Sequence, residues 1–373
     1  MVCTVDTNDQ VPDSRGTPGP LSGLRVLEFV GIGPGPHCAM LLSDLGAEVV
    51  RLDRPGGNGW PNKVVDRGRH VLEVDIQSTE GRELCQLAAD KSDVLIEGFR
   101  PGVMERLGLG PDVLLQRNPK LIYGRVTGWG QEGPLAPAAG HDINFIALSG
   151  ALAAMGRPDE PPAPPLNLVG DFGGGSLFLA FGILAALWER QRSGLGQVID
   201  AAIIDGVASM MGMFSGLNAD KPVSLQRDQS LLGGAAPFYR CYRCADGAHI
   251  SVGALEPRFY GELLRVIGAP AELRSQQYAT ETWPERQNIL ARLFATRTRA
   301  EWSAALEGTD ACFAPVLTAA ETRLHPHHQA RDTYVTVEGV EHPAPAPRFS
   351  RTPGSIATGG SGREVLKRWG VPL

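Results

Sequence analysis

The chain has 373 residues, 43% of them hydrophobic and 20% charged, with a formal net charge of −6. That length gives two domains, or one large domain with an insertion, and the composition is that of an ordinary globular protein. The acidic balance gives no reason to expect nucleic acid as a partner. No apolar run in the sequence approaches the roughly 20 residues that span a bilayer, so no membrane partner is expected.

The first 20 residues are polar, without a basic start or an apolar core. They predict a disordered leader rather than a signal peptide. Cys3, Cys38, Cys85, Cys241, Cys244 and Cys312 are scattered, a reduced cytosolic pattern that predicts no disulfide framework. Cys241 and Cys244 have metal-ligand spacing but no second pair, and His325, His327 and His328 read as a polar loop. No metal is expected. Nor is the C-terminal Gly-Val-Pro-Leu a peroxisomal address, which leaves the cytoplasm as the expected compartment.

The segment Leu24–Val30 reads as a buried strand, followed by a glycine- and proline-rich loop, a helix from His37, and a second strand over 46–52. This βαβ unit predicts a doubly wound, mainly parallel sheet with a Rossmann-like layout. Gly31, Gly33 and Gly35 are spaced unlike a dinucleotide fingerprint, because Pro36 stands where its third glycine belongs. Further strands are expected over 71–75, 93–97, 121–126 and 198–202. The large α/β domain is placed at 21–200, completed by the C-terminal segment 333–373. Arg54, Arg67, Arg100 and Arg106 recur at strand ends or in the loops beside them. Arginine forks match phosphate oxygens, so this recurrence points to a phosphorylated ligand.

Between Gly140 and Gly175 the chain carries His141-Asp142 where a helix should start, and Asp171 beside a run of three glycines. A His, an Asp and a helix start are the parts needed to move a proton on and off a carbon beside a carbonyl. The plainer alternative is that His141 and Asp171 cap their helices. The stretch 201–236 reads as a linker helix and loop, and 237–332 as a small α+β domain opening on two antiparallel strands around Ala245-Asp246-Gly247.

Several motifs in order resemble the family III CoA-transferases: Gly46-Ala-Glu-Val-Val-Arg-Leu-Asp-Arg-Pro, Glu97-Gly-Phe-Arg-Pro-Gly, Gly140-His-Asp-Ile-Asn, Gly170-Asp-Phe-Gly-Gly-Gly and Gly253-Ala-Leu-Glu-Pro. The resemblance runs from about residue 21 to 351. Within the family it is similar to members that invert C2 of 2-methylacyl-CoA thioesters by 1,1-proton transfer through an enolate. It implies His141 and Asp171 as the acid/base pair, Glu256 bonded to the histidine, and Asp142 at the helix start. It further implies coenzyme A contacts at Arg54, Val74, Asp75, Ile76, Gln77, Gly98, Phe99, Arg100 and Arg106. Arg67, Gly140, Ile143, Asn144 and Phe145 complete the expected contact set. Coenzyme A would arrive as part of the acyl-CoA substrate, with no separate cofactor. Members are interlocked homodimers, so Glu256 would serve the partner's histidine. The alternative within the family is transfer of CoA between carboxylic acids with Asp171 as nucleophile. Such transferases generally lack the histidine of the Gly140 motif. One departure is Gly233-Gly-Ala-Ala-Pro, where relatives of this kind begin with an acid.

Overall fold

A computed structural model of the chain describes residues 19–220 and 224–373. Most of the leader, residues 1–18, lies outside the described residues.

The first half builds as β1 (Arg25–Phe29), α1 (Pro34–Asp44), β2 (Glu48–Asp53), β3 (Arg69–Glu73), α2 (Thr79–Ala89), β4 (Val94–Glu97), α3 (Val103–Arg106), α4 (Pro111–Arg117) and β5 (Ile122–Thr127). Next come α5 (Asp142–Leu148), α6 (Phe178–Ser193), β6 (Val198–Ala202), α7 (Ile203–Met210) and α8 (Gly212–Asp220). The rest comprises β7 (Tyr239–Arg243), β8 (His249–Gly253), α9 (Pro257–Val266), α10 (Trp283–Phe294), α11 (Arg299–Leu306), β9 (Phe313–Val316), α12 (Ala319–Thr322) and α13 (Pro326–Ala330). The chain ends through β10 (Tyr334–Val337), β11 (Val340–Pro343), β12 (Gly360–Ser361) and α14 (Gly362–Arg368).

Seven strands form one sheet in the order β12-β3-β2-β1-β4-β5-β6. The pairings β12–β3, β3–β2, β2–β1, β1–β4 and β4–β5 are all parallel. The expected doubly wound α/β sheet is therefore present. β1 and β4 run as near-continuous apolar segments because both faces of such a sheet are covered. The order reverses between β1 and β4, which opens a crevice at the carboxyl ends of the strands. The C-terminal segment returns to add β12 to the edge, and α14 seals that end with Val365, Leu366 and Trp369 in the sheet's core.

The chain resolves into two compact units. One holds the described residues up to Val126, Leu179–Asp200 and Val337–Leu373; the other holds Thr127–Phe178 and Ala201–Thr336. The sequence boundary at 200 had put 127–178 with the sheet. It joins the second unit because Phe145 and Ile146 of α5 share a core with Ile203 and Val207 of α7. The stretch expected as a linker helix and loop opens on two helices, α7 and α8.

In the second unit, β7, β8 and β9 form an antiparallel sheet over an aromatic core. Phe238 meets Tyr260 at 5.5 Å and Trp283 at 5.9 Å between ring centroids, and Phe294 stacks on Tyr242 at 5.0 Å. β9 did not read as a strand from sequence, since Pro315 interrupts it; as an edge strand it tolerates that missing donor.

A π-helical segment, Leu168–Leu177, runs directly into α6. The plainer alternative had Asp171 capping the helix that follows it; the residue lies instead within a helical turn. Together the two segments make a 26-residue helix, Leu168–Ser193, long and apolar enough to cross a bilayer by length and composition. That corrects the expectation of no such run. Its first part nevertheless packs against protein: a Cβ on Gly206 of α7 would lie 2.0 Å from the Gly174 carbonyl oxygen. Such contact requires glycine on both sides. Gly206→Ala should cost about 1–3 kcal/mol of stability. A thermal melt indistinguishable from wild type would show that the crossing has slack.

Candidate active site

α5 starts abruptly. His141 is its N-cap in extended conformation (φ −129°, ψ 173°), and the Asn144 side chain accepts from the His141 amide at 3.0 Å. Phe145 fixes this start from beneath. Its ring meets Trp129 edge-on at 4.8 Å and fills the space that side chains at Gly128 and Gly140 would occupy. Buried in this way, Phe145 is a support of the site and is not available as a ligand contact. Asn144 spends its carbonyl oxygen on the cap, whereas Ile143 is exposed.

His141 is exposed, while Asp142 beside it turns inward and is buried. One oxygen of Asp142 accepts the backbone amide of Asp171 at 2.6 Å. This bond ties the start of α5 to the π-helical turn. The Asp171 carboxylate in turn accepts from the Asn167 side chain at 3.3 Å. Burial is the main cause that raises the Asp171 carboxyl above its usual range, with the Asp142 charge adding to it; Asn167 and His141 oppose. Asp142 is raised as well, chiefly by burial. His141, Asp142 and Asp171 thus form one cluster within the second unit.

Glu256 is exposed at the N-cap of α9, immediately before Pro257. No hydrogen bond joins it to His141 within the chain. The structure does not bring the fourth expected residue to the other three. The same unit holds a cavity of about 1050 Å³ lined by Arg157, Asp159, Gly233, Gly234, Arg240 and Trp283 among others, but by none of His141, Asp171 and Glu256. It lacks the paired acid and base, so the chemistry is assigned to the His141–Asp171 cluster.

In the first unit, a cavity of about 400 Å³ opens at the carboxyl ends of the strands. Phe29, Gly31 and Ile32 line it after β1, Leu52, Asp53 and Arg54 after β2, Val74 and Ile76 after β3, and Phe99 after β4. It therefore sits at the point where strand order reverses, where ligands bind open α/β sheets. Arg54, Val74, Ile76 and Phe99 were expected as ligand contacts and are found together. Asp75 and Gln77 are exposed beside them in the turn that leads to α2, where the Asp75 carboxylate accepts the Gln77 amide at 2.9 Å. Arg100 and Arg106 are exposed near the end of β4, as is Gly98. Ile32, Asn58 and Trp60 also line the cavity, and sequence reasoning missed them. Trp60, a large aromatic 78% exposed within a Gly/Pro/Asn loop, was the available signal.

Arg67 is a correction. It is buried, its guanidinium paired with Asp44 at 2.5 and 2.9 Å and bonded to the Pro343 carbonyl at 2.8 Å. A guanidinium so occupied is a structural tie to the C-terminal segment and has no fork left for phosphate. Sequence reading also missed Glu97 and Arg125. Buried Glu97 accepts the Phe99 amide at 2.7 Å and pairs with Arg125 at 2.7 Å, which shapes the Gly98–Arg100 loop. Among the described residues no group of His, Cys, Asp and Glu is arranged to hold a metal ion.

The sequence matches the CoA-transferase family III profile over residues 21–360. It is 47% identical to the protein named alpha-methylacyl-CoA racemase of Mus musculus, covering 89% of this chain and 87% of the relative. The protein of the same name from Homo sapiens is 44% identical, with the same coverage of both. In three dimensions the chain is similar to a CAIB/BAIF family protein from Brucella suis, with a TM-score of 0.81 at 25% identity over 95% of this chain and all of that one. Profile, relatives and fold agree: the chain belongs to CoA-transferase family III.

Proposed function

We propose that this protein is a racemase that inverts the stereocentre at C2 of 2-methylacyl-CoA thioesters. The observation that carries the reading is the Gly140–Asp142 start of α5 held against the Asp171 turn, which joins a histidine to a carboxyl with raised proton affinity. Inversion requires removal of the C2 proton on one face and its return on the other. Neutral His141 serves as base for one enantiomer while protonated Asp171 delivers a proton; the roles exchange in the reverse direction. Burial raises the proton affinity of Asp171, which suits a carboxyl that must deliver a proton as well as take one.

The intermediate is an enolate whose oxygen needs donors where charge develops. The first-turn amides of α5 at Asp142 and Ile143, with no carbonyl a turn behind them, are suited to it. The cavity at the switch point, lined by Arg54, is the proposed seat of the CoA handle, with Arg100 and Arg106 as further proposed contacts. Coenzyme A comes with the substrate, and no further cofactor enters the scheme.

We also assign a homodimer. Large apolar side chains stand in solvent on α6, with Phe181 72% and Trp188 66% exposed, and a second copy of the chain is the partner that buries them. In that assembly Glu256 of one subunit orients His141 of the other, consistent with its standing apart from His141 within the chain. The test is chiral analysis after incubation with either enantiomer of a 2-methylacyl-CoA. Both should converge on one mixture. If composition is unchanged, but CoA moves to an added carboxylic acid, the transferase reading replaces this one.

A further inference from the structure

Asp142 is the one member of the cluster whose side chain has no part in the proton transfers. Its surroundings are nonetheless specific. It is 7% exposed, directly follows His141, and accepts the Asp171 amide at 2.6 Å, with the Gly170 amide also bonded to it. The carboxylate is pressed against the π-helical turn so closely that a Cβ on Gly170 would fall 2.3 Å from its Oδ1. Its second oxygen, Oδ2, is buried without a hydrogen-bond partner. A carboxylate with backbone amides on one side and an unsatisfied oxygen on the other is expensive to bury, and such exceptions call for an explanation.

If the only task were to tie α5 to the turn, an asparagine would do it with less desolvation. What the carboxylate adds is charge. The titratable groups acting on the Asp171 carboxyl are Asp142 and His141, with Asn167 supplying a neutral hydrogen bond. From α7, the side packed on the turn offers Ile203, Val207 and Gly206, and near Gly173 the thioether of Met210. These contribute no charge. Asp142 is thus the single anion set against Asp171, within the segment that also carries His141.

We propose that Asp142 is a positioning residue of the two-base site: its buried carboxylate, bonded to the Asp171 amide, holds the Asp171 turn against the start of α5 and places a negative charge beside the Asp171 carboxyl. The inference rests on the racemase reading for its consequence but not for its test. Raised chiefly by burial and further by the Asp142 charge, Asp171 binds a proton more tightly, so its base form is lost at a higher pH than an isolated carboxylate's would be. Removing the Asp142 charge must move that loss to lower pH.

Asp142→Asn keeps an oxygen to accept the Asp171 amide and removes the charge; Asp142→Ala removes both. The titration of Asp171, followed by NMR of ¹³C-aspartate-labelled protein and assigned by difference from Asp171→Asn, should shift to lower pH in Asp142→Asn. An unchanged midpoint overturns the proposal, whatever the protein does with substrate. In racemisation, the acid limb for the direction in which Asp171 is base should move to lower pH in Asp142→Asn. The plateau there should fall roughly 3- to 30-fold, with KM little changed. A profile that is merely scaled, with its limb in place, also overturns it, because that is all a structural role predicts. Asp142→Ala should lose about a further tenfold in kcat as the Asp171 turn is released. If wild type itself leaves C2 untouched, the racemase reading fails while the titration still decides the role of Asp142.

Discussion

Asp171→Asn should lower racemisation about 10²- to 10⁴-fold in kcat while changing KM little, since the amide keeps the size of the side chain and loses only its proton chemistry. The loss should be lopsided in a diagnostic way. His141 can still remove the C2 proton from the enantiomer that presents it, so that enantiomer should exchange with solvent without inverting. The opposite enantiomer should do neither. In wild type, burial raises the Asp171 carboxyl, and Asp142 adds to the effect. Its base form is therefore complete only above a raised value, and activity in the direction that uses it should fall away as pH drops through that value. Equal, slight losses from both enantiomers would contradict a two-base site.

Arg69→Met should destabilise the first unit by about 3–5 kcal/mol, because it strands a buried carboxylate. Glu28 in β1 is completely buried and pairs with Arg69 at 2.9 Å. Arg69 also donates to the carbonyls of Val65 at 3.0 Å and Arg67 at 2.8 Å, and to that of Pro36. Burial raises the Glu28 carboxyl, and Arg69 is the largest influence that opposes the rise. Without the guanidinium the folded-state value climbs further above the unfolded one near 4.3. A raised folded value means that stability is intact below the unfolded value and is lost as pH rises toward the folded one. The penalty for Arg69→Met should therefore be smallest at pH 4, where only the lost carbonyl bonds count, and grow toward neutrality. Glu28→Gln in the same background should remove most of that pH dependence. It should leave the cost of the three unsatisfied carbonyls. Urea unfolding at several pH values checks both; a pH-independent penalty would show that Glu28 is neutral throughout.

Both residues mark the reach of a sequence reading. The parallel sheet was legible because β1, β2 and β4 are short apolar runs punctuated by glycine and charge, which only a buried strand explains. His141 and Asp171 were legible as a pair through the glycines around them and the resemblance of their motifs. The misassigned charges have one physical cause: side-chain partners far apart in sequence. Arg67 looked like Arg54 and Arg100, another arginine beside a strand. Only the fold shows that Asp44 and the Pro343 carbonyl occupy it. Glu97 and Arg125 were likewise ordinary charges in strands until their pairing put them under the Gly98–Arg100 loop. The π-helical turn was missed because three successive glycines argue for a loop unless a second helix lies close enough to need them, as α7 does at Gly206. Glu256 marks a different limit. Nothing within one chain brings it to His141, and the proposed dimer is what would.

The central claim, proton transfer at C2 rather than acyl transfer through Asp171, has a direct test. The protein is incubated in deuterium oxide with a single enantiomer of a 2-methylacyl-CoA and no acceptor acid, and the C2 position is read by mass and by configuration. The account predicts one deuterium at C2 in the inverted product, at a rate abolished by the paired His141→Ala and Asp171→Asn substitutions. Unlabelled, uninverted substrate, with CoA released to a carboxylic acid only when one is added, would contradict it.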